Sequence, residues 1–570
     1  MKKSNNQLSI AFLIISVLYS VNVKAQRTIY KPLDLSVVEF SFNDFGSMWT
    51  FDAVPLQKYE KEYGFKPDQK WLDDVQKSAL QFGRGCSGSF VSADGLIMTN
   101  HHCVRGRLKS IEKEGENLMR DGYYAKTISD ERRIEGLYVD QLITITDVTN
   151  DIRKAMNKGK TAQEKVNLKD KKITYIIKKY EKKTDLTYKV VTLYNGGKYS
   201  LYAYKRYNDI RLVMAPDVQI AATGWDWDNF TYPRYELDFA FCRAYDENGK
   251  PVKVENYFTW SKKGATEGEP LFVIGRPGNT DRLLSMKELE YFRDIKYPKI
   301  LNMLNDRYHK SFEEYQNFQG DKAELLGKLL SVANGRKSFA GKLIGLNDAY
   351  IMTKKYDFEN KLKAKVKADK QLNKDYGDIW SDINIIIDKI KANPQSQKDL
   401  KNSLEILNQK LGRLIYEVYS NKIPPDATST LRISDGVIKG YEYNGTIAPG
   451  KTTYFGLWDR FYSFGQKDYP WGLHDRWKKV PKELDLSTPI GFASTNDIVG
   501  GNSGSAVINK NAEVIGVIHD GNLESLAGAF IFLSEDNRSV ATDSWGLMEA
   551  LKLVYKTTSL VYELENGKMK

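Results

Sequence analysis

Along the chain, short apolar or alternating runs give way to stretches of helical spacing, and that exchange sets the expected architecture. From Gln26 to about Leu284 the runs are brief. Ser89-Phe90-Val91, Leu96-Ile97-Met98, Tyr188 to Leu193 and Leu271 to Ile274 are cut apart by Gly, Asn, Asp and Pro. Such runs fit strands, with turns where the breakers fall. One basic stretch, Asp151 to Lys183, holds few breakers and predicts a helical excursion. Between Pro298 and Pro394 no proline occurs, and Leu325, Leu329 and Val332 recur at helical spacing. A further helical stretch runs from about Ser396 to Tyr419. Pro424-Pro425 then breaks the pattern, and the glycine-punctuated β texture returns, including Glu513 to Ile518. The expected fold is mainly β with an α-helical insertion: a first β part over 26–285, a helical insertion over 286–424 and a second β part over 425–570. Many short strands with turn signals favour sandwiches or barrels.

The one long apolar stretch lies at the start. Lys2 and Lys3 precede a run from about Leu8 to Val23, and Val23-Lys24-Ala25 supplies small residues where a signal peptidase reads. Residues 1–25 are therefore expected to be a signal peptide cut before Gln26, which would send the rest to the periplasm or outside the cell. Hydrophobic residues make up 41% and charged residues 28%. That is a globular composition and excludes a disordered or polytopic membrane chain. The net charge of +12 could suggest nucleic acid. The lysines, however, are spread among glutamates and aspartates, so a solvated mixed-charge surface is expected, with no nucleic-acid partner. Of three cysteines, Cys86 and Cys103 flank a short apolar segment and are natural disulfide partners in an oxidising compartment; Cys242 is left over.

Chemistry concentrates in two places. In Gly500-Gly501-Asn502-Ser503-Gly504-Ser505 a serine sits between glycines just before an alternating run. Glycines permit a tight turn with an exposed hydroxyl, and the Gly501 and Ser503 amides could face one point, as an oxyanion requires. A plain hairpin turn would use the same residues. The second place is Thr99-Asn100-His101-His102-Cys103, where a Cys86–Cys103 bridge would staple the loop presenting an imidazole. Adjacent side chains do not converge easily on one ion, and no CxxC or HxxxH spacing is present, so no metal is expected there. No organic cofactor is indicated either. For a carboxylate to orient the imidazole, Asp226, Asp228 and Asp238 are candidates. Asp238, in Leu237-Asp238-Phe239-Ala240-Phe241, best fits the edge of an apolar strand.

At this point the sequence resembles the bacterial dipeptidyl-peptidase 7 and 11 family. The resemblance is carried by Phe82 to Gly88, Asp94-Gly95-Leu96, the Thr99 to Cys103 box, Asn229 to Arg234 with Asp238, Gly275 to Thr280, and Gly500 to Ser505 with Asp520-Gly521-Asn522. These are chymotrypsin-fold exopeptidases of Gram-negative bacteria. The resemblance implies a chymotrypsin-like double β-barrel with a helical cap, and the catalytic residues His102 rather than His101, Asp238 and Ser503. It further implies that Asn229, Asp520 and Asn334 hold the free amine of an oligopeptide, and that the chain forms a homodimer. Members that cut after acidic residues have an arginine where Gly521 stands. Glycine there implies an open S1 pocket and cleavage after hydrophobic or aromatic residues.

Three departures accompany the likeness. The segment between Asp238 and Ser503 is shorter than is usual in the family, Phe230 and Tyr232 replace tryptophans, and Arg276 replaces an aromatic. A shortened cap leaves two alternatives standing beside a dipeptidyl peptidase: a trypsin-like endopeptidase with an open cleft, and a non-catalytic peptide-binding homologue.

Overall fold

The structure, a computed structural model, describes residues 34–392, 398–464 and 470–570. The expected signal peptide lies outside them. The chain divides into two units, Met1–Val38 and Glu39–Lys570. Of the first, the described residues form one 3-10 turn, Leu35–Val37, capped by the Asp34 side chain. Among the described residues no helix is long and apolar enough to cross a membrane.

Two sheets, antiparallel except for the parallel pairing of Thr259–Trp260 with Glu513–Gly521, carry the second unit. The first runs in the order Tyr123–Tyr124, Asp209–Ala215, Ala240–Tyr245, Leu96–Thr99, Cys86–Phe90, Ala79–Phe82, Val139–Asp147, Lys198–Tyr207 and Thr187–Leu193. The second orders Arg432–Val437, Pro270–Gly275, Ala506–Ile508, Glu513–Gly521, Ser539–Asp543, Pro489–Ser494 and Lys451–Thr453. Strand Pro270–Gly275 thus comes from before the helical stretch and pairs with Arg432–Val437 from after it, Phe272 opposite Asp435. These two paired strands flank the helical stretch in sequence.

The expected pair of closed barrels is not seen. Among the described strands the two ends of each sheet do not pair with one another. In the first sheet the reason is visible at the Thr187–Leu193 end. The helices Thr149–Met156 and Ala162–Glu181 turn Ile152, Ile173, Ile176 and Ile177 onto Tyr188, Val190, Tyr199 and Leu201, so helices cover a surface that a barrel would roll shut. The fold is accordingly mixed α and β rather than mainly β.

Each sheet has its own apolar layer. Leu80, Phe90, Ile97, Val139 and Leu212 meet in the first, together with Cys242. The leftover cysteine is therefore a core residue; burial pushes its thiol above the ordinary range. Leu271, Val273, Phe492, Val507 and Ile515 meet in the second. Between Met286 and Tyr419 the described residues are mostly helical, with long elements at Tyr297–Asn317, Ala323–Asn347, Ala349–Ala368 and Lys398–Tyr419. Gly341 and Gly345 show how this segment is fixed. A Cβ would lie 2.3 Å from Leu526 at the first and 2.7 Å from Ala527 at the second. Only glycine at this i, i+4 spacing lets the helix lie directly on the turn Glu524–Ala529 that follows the second sheet's central strand. Asn334 lies two turns earlier on the same helix.

Candidate active site

The hairpin of strands Cys86–Phe90 and Leu96–Thr99 delivers the chain to a short helix, His101–Val104. The disulfide Cys86–Cys103 ties that helix back to the first strand. Thr99 pairs with Ala240 in the neighbouring strand, which brings Asp238, two residues earlier, beside the helix. The Asn100 side chain donates to the Asp238 carbonyl at 2.6 Å, and the His102 amide donates to Asp238 Oδ1 at 3.1 Å. Asp238 Oδ2 lies 2.5 Å from His102 Nδ1. This contact places the Nδ1 proton on the carboxylate side and leaves Nε2 as the ring's free acceptor. Burial works against a charged Asp238, but the neighbouring His102 outweighs it and holds the carboxyl well below its ordinary range. Asp226 and Asp228 take other work: Asp226 pairs with Arg336 at 3.1 Å, and Asp228 accepts from the Trp471 indole at 2.9 Å.

His101 points the other way. It is fully buried, and neither ring nitrogen has a hydrogen-bond partner among the described residues. Burial, helped by the nearby Arg105 charge, lowers its pKa to about 3, so it stays neutral. Of the two adjacent histidines, only His102 reaches the carboxylate.

Ser503 lies in a loop docked on the first sheet. The Ser87 amide donates to the Ser503 carbonyl at 2.7 Å, and the Ser87 hydroxyl donates to the Gly501 carbonyl at 2.9 Å. Because Ser87 follows Cys86, the same strand holds both the disulfide of the histidine helix and the serine loop. Gly501 and Gly504 have φ of +105° and +85°. At Gly504 a Cβ would meet the Ser87 carbonyl at 2.1 Å, so the close approach as well as the backbone demands glycine. The Gly501 and Ser503 amides donate to no acceptor among the described residues. Free amides beside a serine are what a developing oxyanion needs.

His102, Asp238 and Ser503 line one cavity of about 1230 Å³. Its wall also includes Gly501, Asn229 and Asn334, together with Asp520 and Gly521. Asn229 follows the short helix Trp225–Asp228 and donates to the Asn334 side chain at 3.2 Å, joining the β part to the helical segment. Asp520 sits at the end of strand Glu513–Gly521. Its carboxylate accepts from the Phe230 amide at 2.7 Å, the Gly521 amide at 2.9 Å and the Arg234 guanidinium at 2.7 Å. Gly521 is less open than expected: a Cβ there would lie 2.4 Å from the Ser525 hydroxyl.

One part of the site escaped the reading of the sequence. Arg234 also pairs with Glu236 at 2.9 Å, and Glu236 lies 2.8 Å from His519 Nδ1. Ligand atoms of Glu236, Asp238 and His519 lie within 4.8 Å of one another, all buried. A buried charge layer thus backs the carboxylate that holds His102. The signal for it was the alternation Arg234, Glu236, Asp238, with the polar residues two apart and therefore on one side of an extended chain.

A family model described as Peptidase S46 matches residues 43–394 and 384–566, and the chain belongs to that family. An Asp/Glu-specific dipeptidyl-peptidase of Capnocytophaga gingivalis is 30% identical over 365 residues, 61% of this chain and 51% of that protein. The chain thus spans about half of that relative. A dipeptidyl-peptidase 7 of Porphyromonas endodontalis is 25% identical over 693 residues, 91% of this chain and 83% of that protein. Among solved structures, DPP11 of Porphyromonas endodontalis in complex with the dipeptide Arg-Asp superposes with a TM-score of 0.80 at 19% identity. That match covers 91% of this chain and 99% of the other and establishes the shared fold.

Proposed function

We propose that this protein is a serine dipeptidyl peptidase that removes two residues from the free N-terminus of oligopeptides. The observation that carries the reading is the 2.5 Å contact of His102 with Asp238, opening into the same cavity as a serine set between left-handed glycines. Ser503 Oγ attacks the second peptide bond while His102 Nε2 takes its proton. The Gly501 and Ser503 amides receive the oxyanion, and His102 returns the proton to the departing amine. Asp238 keeps the imidazole in the required tautomer. Asn229, Asn334 and Asp520 hold the substrate ammonium two residues upstream, which limits the product to a dipeptide. Asp520 shares its charge with Arg234, so the two asparagine carbonyls carry more of the ammonium's hydrogen bonding than a free aspartate would leave them. The likeness to chymotrypsin lies in this arrangement at the meeting of two β units, and a disulfide beside the site fits an extracytoplasmic location.

For the residue before the cut we propose hydrophobic or aromatic side chains. Gly521 brings no charge, and Val499, Leu526 and Ala529 give the same wall an apolar lining. Asp/Glu-specific relatives and the cavity-lining Lys342 favour a second reading, an acidic residue at that position. Turnover of Xaa-Leu, Xaa-Phe, Xaa-Asp and Xaa-Glu reporters, each with a free and an acetylated amine, separates these readings. Free Xaa-Leu and Xaa-Phe are expected to be cut and their acetylated forms to resist. Cutting of acetylated reporters would make the enzyme an endopeptidase. Faster release of Xaa-Asp or Xaa-Glu would make Lys342 the residue to replace.

A further inference from the structure

The His102 proton passes to the nitrogen of the departing peptide, so the departing chain lies along the His102 side of the cavity. The cavity lining includes Arg105, Gly106, Leu108 and Lys109, which follow His102 closely in the chain, and Gly85 and Cys86, tied to the His102 helix by the disulfide. Arg105 opens the 3-10 turn Arg105–Ile111, three residues beyond His102 and next to the stapled Cys103–Val104.

Its charge is treated differently from its neighbours'. Among the cavity-lining cations, Lys109 pairs with Glu112 at 3.0 Å, Lys328 with Glu324 at 2.9 Å, and Arg234 with Glu236 and Asp520. Lys342 stands over the Phe339 ring at 5.2 Å. Arg105 is half-buried and feels Asp238 and Glu236 only at a distance, and both of those are committed to His102 and to Arg234. It makes no hydrogen bond or ion pair among the described residues, and it lines the cavity. Burial lowers its pKa from the ordinary arginine value, as it must for a guanidinium held in a wall without a counter-charge. A planar, unsatisfied fork facing a substrate cavity is suited to a carboxylate, which it can bind through two parallel hydrogen bonds.

We propose that Arg105 binds a carboxylate on the departing peptide, so that the enzyme favours substrates whose first departing residue is either the C-terminal residue or an Asp or Glu. The two sources share one chemistry. The inference rests on the peptidase reading, because it takes the direction of the departing chain from His102.

The test holds the first two residues constant and varies only what leaves. Release of the same dipeptide is measured by mass spectrometry from a tripeptide acid, its C-terminal amide, and amidated tetrapeptides with Asp or Asn at the third position. Wild type is expected to cut the acid or the Asp peptide about tenfold more efficiently than its neutral counterpart, the size of a charge-assisted hydrogen bond in kcat/KM. Arg105→Gln is expected to erase that ratio and Arg105→Lys to keep part of it. A preference confined to the tripeptide acid identifies the α-carboxylate; one confined to Asp identifies the side chain. Equal turnover of charged and neutral partners by wild type overturns the proposal, as does an unchanged ratio in Arg105→Gln. If wild type releases no dipeptide, the peptidase reading fails, and calorimetry with Ser503→Ala decides the carboxylate question. Equal affinity for tripeptide acid and amide would overturn it, and tighter binding of the acid that Arg105→Gln removes would uphold it.

Discussion

At Gly504 the backbone is asked for two things at once: a φ of +85° and an approach that puts an added Cβ 2.1 Å from the Ser87 carbonyl. An alanine can meet neither without moving the serine loop away from strand Cys86–Phe90. Gly504→Ala is therefore expected to cost at least about 2 kcal/mol of stability, the scale of a non-glycine residue forced into such a conformation, and to lower kcat/KM with it. Gly500 is the control. Nothing lies within 4 Å of the site of its Cβ, so Gly500→Ala should melt within a degree or two of wild type. If both variants melt alike, the loop does not depend on its contact with Ser87. The triad residues call for a different comparison. Ser503→Ala and Asp238→Asn should each lower kcat by about 10⁴. The aspartate variant should nevertheless fold, because an asparagine oxygen can still accept from the His102 amide. A loss under tenfold in Asp238→Asn would mean that the 2.5 Å contact does not set the tautomer.

Strand Cys86–Phe90 serves the histidine helix through its disulfide and the serine loop through Ser87, so cutting the disulfide loosens one side of the site while leaving the other docked. Closing a loop of 17 residues stabilises by about 3 kcal/mol in the chain-entropy account. The double variant Cys86→Ser, Cys103→Ser should lose roughly that amount in denaturant titration, and its kcat should fall while Ser503 still takes a fluorophosphonate. A variant of unchanged stability would place the staple's value elsewhere. Much at this scale was legible in the sequence. Pro424-Pro425 closed the helical stretch, the basic run after Asp151 became two helices, and the glycine–serine box became a docked turn. What periodicity could not supply was pairing between distant segments. Nothing local to Val139–Asp147 says that it meets Lys198–Tyr207, or that helices will cover the sheet where a barrel was expected. Arg234, Glu236 and His519 were passed over for a related reason: polar residues read alone look solvated, and only the fold reveals that each meets an opposite charge away from water.

The whole molecule responds to pH through the acids it buries, and Asp543 isolates one such response. It is fully buried at the end of strand Ser539–Asp543, where Oδ1 accepts from the Trp545 amide at 2.8 Å while Oδ2 has no hydrogen-bond partner among the described residues. Burial raises its pKa to about 6 although Lys451 lies 3.7 Å away. A carboxyl raised on folding binds its proton more tightly in the native state. Its stabilising contribution is therefore complete below the ordinary carboxyl value and is lost as pH climbs through about 6. With each pKa unit equal to about 1.4 kcal/mol, the ionised form costs about 2–3 kcal/mol at pH 7.5. Asp543→Asn retains an oxygen for the Trp545 amide and removes the charge, while Lys451 keeps its bond to the Ala265 carbonyl. Thermal melts of the two proteins should thus diverge with pH: the variant more stable at pH 7.5, and the gap roughly halved at pH 5, which lies between the ordinary carboxyl value and the raised one, closing only below the ordinary value. Asp238 does not confound the comparison. Its carboxyl is depressed, so its contribution holds above the ordinary carboxyl value and fades only in stronger acid. A gap of equal size at both pH values would mean that the asparagine acts through packing and that the buried carboxylate is not charged at a cost.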